Sequence, residues 1–252
     1  MDLGFEGKVA LVTGAGSQIG FGKAICLTLA EEGCDIIVND INLEDAQLTA
    51  DAVKATGRKV IAIKADITKK AEVDNMVNQA LKEFGRIDIL INNAGGMHPG
   101  GSFLEQKEET WDKDLNLNIK GTMLCSQAVL PGMIERKYGK IVNISSSVAK
   151  MAFPGVSTYS MSKGAIYVFT RGLAKMAIRD GINVNSVAPG WALTNFDKAP
   201  PEEIIKRHSP DTPSGRPATS QDIANAAVFL ASDVSSDIVG QILCVDGGST
   251  MQ

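Results

Sequence analysis

The stretch KVALVTGAGSQIGFGKAI, residues 8–25, indicates how this chain folds. Its first part, Lys8–Thr13, is a short apolar run that stops at Gly14, and it predicts a strand buried on both faces. Gly20–Glu32 carries apolar and small residues at helical spacing and ends at Gly33, which predicts a helix. A buried strand, a glycine-rich turn and a helix in this order begin a unit that closes with a second, parallel strand.

The same alternation of strand and helix continues along the chain. The predicted strands are Lys8–Thr13, Asp35–Asn39, Lys59–Lys64, Ile87–Ile91, Lys140–Ile144, Ile182–Val187 and Gln241–Val245. The predicted helices are Gly20–Glu32, Leu43–Thr56, Lys69–Phe84, Lys107–Glu135, Thr158–Arg179 and Ser220–Ala231. This pattern predicts an α/β fold, a Rossmann fold in which a doubly wound, parallel, seven-stranded sheet has helices on both faces. We expect a single domain, residues 1–252, with a substrate loop at about 190–219 that contains a short helix near Glu202–Arg207.

Composition and charge exclude several functional classes. The formal net charge of −4 and the lack of any Lys/Arg run argue against nucleic acid or an anionic membrane as the main partner. The four cysteines are scattered and form no CxxC pair, so neither a metal site nor a disulfide framework is predicted. No basic segment precedes an apolar one at the N-terminus, and no apolar run approaches the ~18 residues that cross a membrane. We therefore expect a cytoplasmic protein.

The glycines at positions 14, 16, 20 and 22 lie between the first predicted strand and the first predicted helix. Glycine at these positions lets backbone N–H groups approach a pyrophosphate at the helix N-terminus, although any tight turn of this kind uses glycine. Asp40 at the end of the second strand strengthens the signal, because a carboxylate there accepts both ribose hydroxyls of NAD and repels the 2′-phosphate of NADP. The alternative role for Asp40 is a helix cap or turn residue. Because no Lys or Arg occupies Gly14–Gly22 or positions 41 and 42, we predict NAD.

A tyrosine and a lysine four residues apart form the candidate catalytic pair. In the predicted helix Thr158–Arg179, Tyr159 and Lys163 lie on one face, about 6 Å from each other. An ammonium favours the phenolate, so the pKa of Tyr159 is expected to fall from ~10 towards neutrality, where the phenol exchanges protons with an alcohol or ketone. Ser145–Ser147 follow the apolar run Ile141–Ile144 and are expected at the carboxyl end of a strand, where open α/β sheets bind ligands. Such a pair is more often simply solvated, and the other motifs favour a functional one.

Together these motifs resemble the short-chain dehydrogenase/reductase family over nearly the whole chain. The resemblance rests on TGAGSQIGFG (13–22), NNAG (92–95), Asn118 in NLNIKG, Ser146, YSMSK (159–163) and APGWALT (188–194). One motif departs from the family pattern, because Gln18 stands where the family's direct register has glycine. Matching GFGKAI, residues 20–25, to the family's helix start implies two extra residues before Gly20.

The resemblance implies an active site made of Ser146, Tyr159, Lys163 and Asn118. Tyr159 is the expected proton donor or acceptor at the substrate oxygen, and Lys163 is expected to lower its pKa and to hydrogen-bond the nicotinamide ribose. Ser146 lies 13 residues before Tyr159, which is the family's spacing, and is expected to hold the substrate oxygen. Ser145 and Ser147 are expected to be turn or cap residues. Asn118 is expected to anchor a water chain that carries protons to the lysine.

The resemblance also implies a set of cofactor-binding residues. Asp66 is expected to contact the adenine, with a helix cap as an equally good alternative, and the asparagine-glycine sequence at 92–95 is also compatible with a plain turn. The full expected set is Gly14, Ser17, Gln18, Ile19, Gly20, Asp40, Asp66, Ile67, Asn93, Ala94, Gly95, Tyr159, Lys163, Pro189, Gly190 and Thr194.

The implied activity is NAD-dependent, reversible hydride transfer between the nicotinamide and a secondary alcohol or ketone. The expected substrate-lining residues are Met97, His98, Met151, Ala152, Phe153, Trp191 and Phe196, although His98 is more simply a loop residue.

Two other functions fit the sequence less well. One is an NADPH-dependent 3-oxoacyl-thioester reductase, for which Arg136, Lys137, Arg171 and Lys175 are candidates for a basic entrance to a carrier protein. The other is a non-catalytic nucleotide-binding protein, which should have lost Tyr159 or Lys163. The resemblance further implies a homotetramer, with Lys107–Glu135, Thr158–Arg179 and the segment Val245–Gln252 as interfaces.

Overall fold

The seven strands form one parallel sheet. The computed structural model describes residues 1–98, 102–151, 157–196 and 199–251. The strand order is β3-β2-β1-β4-β5-β6-β7, and every pair is parallel. The strands are β1 (Val9–Val12), β2 (Asp35–Asp40), β3 (Val60–Lys64), β4 (Ile89–Asn92), β5 (Gly139–Ile144), β6 (Ile182–Pro189) and β7 (Ile242–Val245). The predicted fold class is confirmed, and each strand lies within two residues of its predicted bounds at either end.

Helices connect the parallel strands. They are α1 (Phe21–Glu31), α2 (Leu43–Lys54), α3 (Lys70–Phe84), α4 (Glu108–Leu115), α5 (Thr122–Arg136), α6 (Val148–Met151), α7 (Ser157–Ala177), α8 (Pro201–His208) and α9 (Ser220–Ala231). Short 3₁₀ turns cover Phe103–Glu105, Ile178–Asp180 and Asp233–Ser235. The short helix expected near Glu202–Arg207 corresponds to α8. Within the described residues, no helix has both the length and the apolar character needed to cross a membrane.

Helices bury both faces of the sheet, and successive strand residues point to opposite faces. In β1, Ala10 and Val12 belong to a core shared with α1, α2 and α9. Val9 and Leu11 belong to a second core shared with α3, α5 and α7. This alternation explains why all four residues of β1 are apolar, whereas the helices are apolar along only one face.

The single helix predicted at Lys107–Glu135 is wrong. The structure has α4, a π-helical segment at Asn116–Gly121, and then α5. Short π segments inside helices often occur at functional sites. Here the segment contains the buried Asn118, whose amide bonds to the loop after β4 and to Ser162 on α7. These tertiary contacts accompany the change in helix geometry, and the local periodicity does not show them.

The strand order reverses direction between β1 and β4, since the chain moves outward from β1 to β3 and then returns to the other side of β1. The helices that follow β1 and β4 therefore pack on opposite faces of the sheet, α1 in the first core and α5 in the second. Ligands of open α/β sheets bind at such a switch point.

Candidate active site

A cavity of about 540 Å³ lies at the carboxyl ends of the strands. Its lining includes predicted site residues that follow the strands from β1 to β6. These are Gly14, Ser17, Gly20, Asp40, Asp66, Ile67, Asn93, Ala94, Gly95, Ser146, Tyr159, Lys163, Pro189, Gly190 and Thr194. The predicted residues Gln18, Ile19 and Asn118 lie outside this lining.

The turn after β1 is held against the turn after β4. Asn93 donates its side-chain amide to the carbonyls of Thr13 and Gly14, both at 2.8 Å. The Thr13 hydroxyl accepts the backbone N–H groups of Asn93 and Ala94. Gly14 has a φ of +61°, and a Cβ added there would lie 2.6 Å from the Ala94 Cα. Only glycine fits this position without displacing the neighbouring backbone.

Asp40 lies at the carboxyl end of β2 and faces the glycine-rich turn. Its Oδ2 accepts the Gly16 N–H at 2.8 Å, and its Oδ1 accepts the Asn42 N–H at 3.1 Å. Asn42, not Asp40, caps α2, because the Asn42 side chain accepts the Glu44 N–H. Asp40 thus combines a turn role with a place in the cavity lining, and the two alternatives considered for it are compatible.

The two-residue insertion in the glycine-rich turn points away from the cavity. Gln18 donates to the Gly16 carbonyl at 2.7 Å and accepts from Lys23 at 2.8 Å. Ile19 is 52% exposed, and its carbonyl accepts the Ser220 hydroxyl. Gly20 is the N-cap of α1. Gly22 lies in the first turn of that helix, and a Cβ added to it would be 2.6 Å from the Ala15 Cα. This arrangement agrees with matching GFGKAI to the start of the helix.

The Asp66 carboxylate is engaged by its own turn. Its Oδ1 accepts both the backbone N–H and the hydroxyl of Thr68, and Lys69 lies 3.3 Å from Oδ2. Burial opposes ionisation of Asp66, but the hydrogen bonds from Thr68 and Lys69 outweigh it and lower its pKa. Asp66 thus stabilises the turn before α3, but the helix-cap alternative is wrong, because the N-cap of α3 is Lys69 and no side chain caps that helix. Asp66 also lines the cavity beside Ile67.

Ser146 follows β5 and is held mainly through its backbone. Its hydroxyl is 3.5 Å from the Pro189 carbonyl, which is a weak contact, whereas its own carbonyl accepts the Tyr167 hydroxyl at 2.8 Å. The neighbouring Ser145 is fixed differently, since its hydroxyl bonds to Ser186 at 2.7 Å and to the Val187 carbonyl. Ser145 thus has a structural role at the carboxyl end of β5. The Ser146 hydroxyl can still form a hydrogen bond with a ligand.

Tyr159 is on the first turn of α7, against the Phe196 ring, with the ring centroids 5.6 Å apart. Burial raises the pKa of Tyr159 to about 12, a hydrogen bond with Ser146 acts in the opposite direction, and the negative charge of Asp114 raises it further. The expected fall towards neutrality is not what the described residues produce. Loss of hydration outweighs the proximity of a lysine whose Nζ is 5.7 Å from the phenol ring centroid.

Lys163 is only 4% exposed and donates to the Ile144 carbonyl at 3.0 Å. Burial lowers the pKa of Lys163 to about 8. Gly95 lies beside it, and a Cβ added to Gly95 would be 2.8 Å from the Lys163 Nζ and 2.9 Å from the Asn118 Oδ1. Asn118 itself donates to the Gly96 carbonyl and to Ser162, which in turn donates to the Tyr159 carbonyl. The structure thus brings the predicted catalytic residues together at one end of the cavity, with Asn118 behind it.

The segment after β6 supplies residues that sequence reasoning missed. His208 on α8 is 7% exposed and lines the cavity. Its ring stacks on Trp191, with centroids 3.7 Å apart and planes 12° apart. Ile204, one turn earlier on α8, also lines the cavity. The i, i+4 spacing of these two residues was a usable signal that one face of the short helix is directed inward.

The expected substrate-lining residues have mixed outcomes. Met151, Trp191 and Phe196 line the cavity, and Met97 and His98 lie outside its lining. His98 is instead paired with the buried Asp114, 2.8 Å from its Nδ1. Ala152 and Phe153 lie outside the described residues. In the described ranges, His, Cys, Asp and Glu side chains form no group that could hold a metal ion.

Two of the four residues proposed for a basic entrance are far from the cavity. Arg136 donates to the Ile87 carbonyl, just ahead of β4, and Lys137 pairs with Asp180, just ahead of β6. Both therefore lie at the amino ends of the strands, opposite the cavity. This part of the 3-oxoacyl-thioester alternative is wrong.

Comparison with known proteins places the chain in a family. A family model described as enoyl-(acyl carrier protein) reductase matches residues 14–250. The subunit BbsD of (2S)-[(R)-hydroxy(phenyl)methyl]succinyl-CoA dehydrogenase from Thauera aromatica is 43% identical over 249 residues, which cover 99% of each chain. The 3-oxoacyl-[acyl-carrier-protein] reductase FabG of Thermotoga maritima is 37% identical and covers 96% of this chain and 98% of its own.

A solved structure has the same fold. It is described as a short-chain alcohol dehydrogenase from Sinorhizobium meliloti and superposes with a TM-score of 0.90 at 32% identity, covering 97% of this chain and 96% of its own. Given this likeness, the match over residues 14–250 and the cavity at the strand ends, the chain belongs to the short-chain dehydrogenase/reductase family and is an oxidoreductase of that type.

Proposed function

We propose that this protein transfers a hydride between NAD and the secondary alcohol or ketone of an acyl thioester, with Tyr159 as the acid and base. The observation that carries the proposal is the layout of the cavity, in which Asp40 lies at one end and Ser146, Tyr159 and Lys163 lie at the other. The strands β1 and β4 separate the two ends, which suits a long, two-part cofactor.

The residues of the cavity fit a dinucleotide without a 2′-phosphate. Gly14 and Gly95 line the cavity with backbone alone, and Gly20 caps α1 without a side chain. Asp40 offers a carboxylate where a ribose diol needs acceptors. Lys163 is the one Lys or Arg among the described lining residues, and it lies at the end away from Asp40. These features support NAD over NADP, with Asn93–Gly95, Asp66–Ile67 and Thr194 as further contacts and Gln18 and Ile19 contributing backbone only.

The nicotinamide, when bound, supplies or accepts the hydride. Ser146 holds the substrate oxygen, because its hydroxyl is only weakly engaged by Pro189 and is within hydrogen-bonding range of the Tyr159 phenol. With its pKa raised to about 12, Tyr159 carries its proton at neutral pH and is ready to donate it to a developing alkoxide. Lys163 holds the cofactor ribose and, below its pKa of about 8, places a positive charge near the phenol. Asn118 fixes the loop at Gly96 and the helix at Ser162 behind them.

The acyl thioester comes from the relatives. One relative is named for a hydroxylated succinyl-CoA and others for 3-oxoacyl chains on acyl carrier protein. Both names place the reacting oxygen on an acyl chain attached to a carrier. Asp40 favours NAD. The proposed substrate is therefore the thioester of a 3-oxoacyl-thioester reductase, and the proposed cofactor is the NAD expected from the sequence. A cytoplasmic location is consistent with this chemistry and with the free thiols of the four cysteines.

Initial rates test the cofactor. With 3-oxobutanoyl-CoA and a simple ketone as substrates, we expect NADH to exceed NADPH in kcat/KM by at least about tenfold. Asp40→Asn should reduce that ratio, because an amide repels a 2′-phosphate less than a carboxylate does. A preference for NADPH in the unmodified protein would contradict the proposal and favour the NADPH-dependent reductase.

Substitution of the tyrosine tests the chemistry. Tyr159→Phe should lower kcat by at least about a hundredfold, because the proton donor is removed. Tyr138→Phe is the matched control, since Tyr138 precedes β5 at the amino end of the sheet and its hydroxyl bonds to Asp233 at 3.0 Å. Unchanged turnover of Tyr159→Phe would indicate that the fold has kept nucleotide binding without this chemistry.

We also propose a homotetramer. Met161, Val168 and Met176 are 58%, 71% and 59% exposed along α7, and Met123 on α5 is 48% exposed. Their spacing places the three α7 residues on one side of that helix, which supports α5 and α7 as an interface between copies. The edge strand β7, with Leu243 39% exposed, is a second candidate interface.

A further inference from the structure

Flat rings form part of the cavity lining. The chain is poor in aromatic residues, at 5%, and contains two tryptophans and two histidines. Trp191 and His208 nonetheless both line this cavity, together with Tyr159 and Phe196. An enrichment of rings at one place, in a chain that has few, needs a local reason.

Packing within the fold accounts for only part of this arrangement. The Trp191 and His208 rings are stacked at 3.7 Å with planes 12° apart, which joins the end of β6 to α8. The backbone of the same segment is fixed by hydrogen bonds between Trp191 and Ala218 and between Leu193 and Ala218. Phe196 packs against the Tyr159 ring at 5.6 Å and 47°, yet it remains 52% exposed. Burial in the core therefore does not explain Phe196, whose open part borders the cavity.

Several other lining residues of the cavity are aliphatic. Met151, Val148, Leu117 and Ile204 face the same cavity. Rings bounded by aliphatic side chains bind a flat, apolar group through offset or edge-to-face contacts, which add to the burial of its surface. A puckered or flexible group of equal size gains the burial but not the ring contacts.

We propose that the acyl part of the substrate carries an aryl ring, which packs against Phe196 and the Trp191–His208 stack when its reacting carbon faces Tyr159. This inference rests on the proposed function and narrows its substrate class. Trp191, Phe196 and His208 are then specificity-determining residues. They set which thioester is bound, and Ser146, Tyr159 and Lys163 perform the chemistry on it.

A matched pair of unreactive thioesters tests the inference without turnover. 3-Phenylpropionyl-CoA and 3-cyclohexylpropionyl-CoA have the same carbon skeleton and differ in the flatness of the ring. Titration calorimetry, with NAD present, should show the phenyl compound binding about three- to tenfold more tightly. Equal affinities, or tighter binding of the cyclohexyl compound, would overturn the inference.

Variants then locate the preference. In Trp191→Leu and in Phe196→Leu the phenyl-to-cyclohexyl affinity ratio should fall towards one, and each variant's cyclohexyl affinity serves as its internal reference. Phe229→Leu is the matched control, because Phe229 is 40% exposed near the C-terminal end of α9 and does not line the cavity. A ratio that survives both substitutions, or that falls equally in Phe229→Leu, would overturn the assignment.

Kinetics separate this inference from the proposed function. With the corresponding 3-oxo-3-phenyl and 3-oxo-3-cyclohexyl thioesters, the ratio of kcat/KM values should shift in the two pocket variants relative to the unmodified protein. Comparing ratios removes the intrinsic difference in ketone reactivity. If neither thioester is reduced, the proposed function fails and the affinity ratios still decide the aryl site. If both are reduced without any effect of Trp191 or Phe196, the proposed function stands and the aryl site fails.

Discussion

At the scale of single residues, burial sets the chemistry of the candidate site. Lys163 is 4% exposed, and its pKa falls from 10.5 to about 8 because the ammonium loses hydration. The unfolded chain keeps this proton up to pH ~10.5, whereas the folded chain releases it near pH 8. Below pH 8 the buried charge therefore destabilises the fold, by on the order of 3 kcal/mol. The penalty declines between the two pKa values and is absent above them.

Replacing this lysine should raise the free energy of unfolding and lower the activity. Lys163→Met should be more stable than the unmodified protein at pH 7 by about 1–3 kcal/mol, since the lost bond to the Ile144 carbonyl offsets part of the gain. The gain should shrink as the pH rises from 8 to 10.5, and kcat should fall by at least about a hundredfold. Urea denaturation at several pH values measures the effect, with the exposed Lys175 on the same helix as the control in Lys175→Met. A pH-independent difference would refute the explanation.

The negative charge of Asp114 acts on the tyrosine. Its carboxylate raises the pKa of Tyr159, so Asp114→Asn should lower it. The rate of alcohol oxidation, which rises with pH as Tyr159 loses its proton, should then begin to rise at a lower pH. Profiles of kcat/KM against pH measure the shift, and Asp112→Asn, exposed on the same helix, should not show it. A shift to higher pH would contradict the assigned sign.

At the scale of elements, the ends of strands were the most predictable feature of the site. Apolar runs followed by Gly14, Asp40, Asn93 or Ser146 indicate where a buried strand reaches the surface, and the structure places all four at the cavity. The break at Asn116–Gly121 was missed because the residues around it keep helical spacing. The contacts of Asn118 come from Gly96 and Ser162, which are distant in sequence. The pKa of Tyr159 was missed for a related reason, since burial depends on the whole packing.

The glycine-rich turn is tied to two later elements. Asn195, in the segment after β6, donates to the Ser17 hydroxyl at 3.1 Å, and Ser220 on α9 donates to the Ile19 carbonyl at 2.7 Å. The first contact joins two residues that both line the cavity, Ser17 and Asn195. It should therefore hold the turn in place around a dinucleotide.

Removing that contact should weaken cofactor binding. Asn195→Ala should raise the Kd for NADH about two- to tenfold, since one exposed hydrogen bond contributes about 0.5–1.5 kcal/mol. Quenching of tryptophan fluorescence by NADH measures the affinity. Asn225→Ala is the control, because Asn225 on α9 bonds only to Gln221 in the described contacts. Unchanged or tighter binding in Asn195→Ala would show that the contact plays no part.

At the scale of the whole molecule, one sheet carries every described strand, which supports our proposal of a single domain, residues 1–252, with the substrate loop at about 190–219. The helices on its two faces differ in their surfaces. α7 has a row of exposed apolar side chains and is part of the proposed interface. α2 lies outside that interface, although its Leu48 is also exposed, at 53%. The distinction allows a direct test of the proposed assembly.

A charge on α7 should dissociate the tetramer. Val168, at 71% exposed, would be buried between copies, so Val168→Glu should leave smaller species at micromolar concentration. Sedimentation velocity measures the mass, and Leu48→Glu should leave it unchanged. If the unmodified protein sediments as a monomer, or if Val168→Glu keeps the same mass, the proposed interface is wrong.

The bridge from Asn93 to Thr13 and Gly14 has a consequence for synthesis. It joins residues about 80 positions apart, so the first half of the crevice exists only after β4 has left the ribosome and paired with β1. The glycine-rich turn leaves the ribosome long before Asn93 does, and until then it lacks the hydrogen bonds from the Asn93 side chain. A chain arrested before residue 93 would therefore expose the apolar edge of β1, and chaperones would meet this protein early in translation.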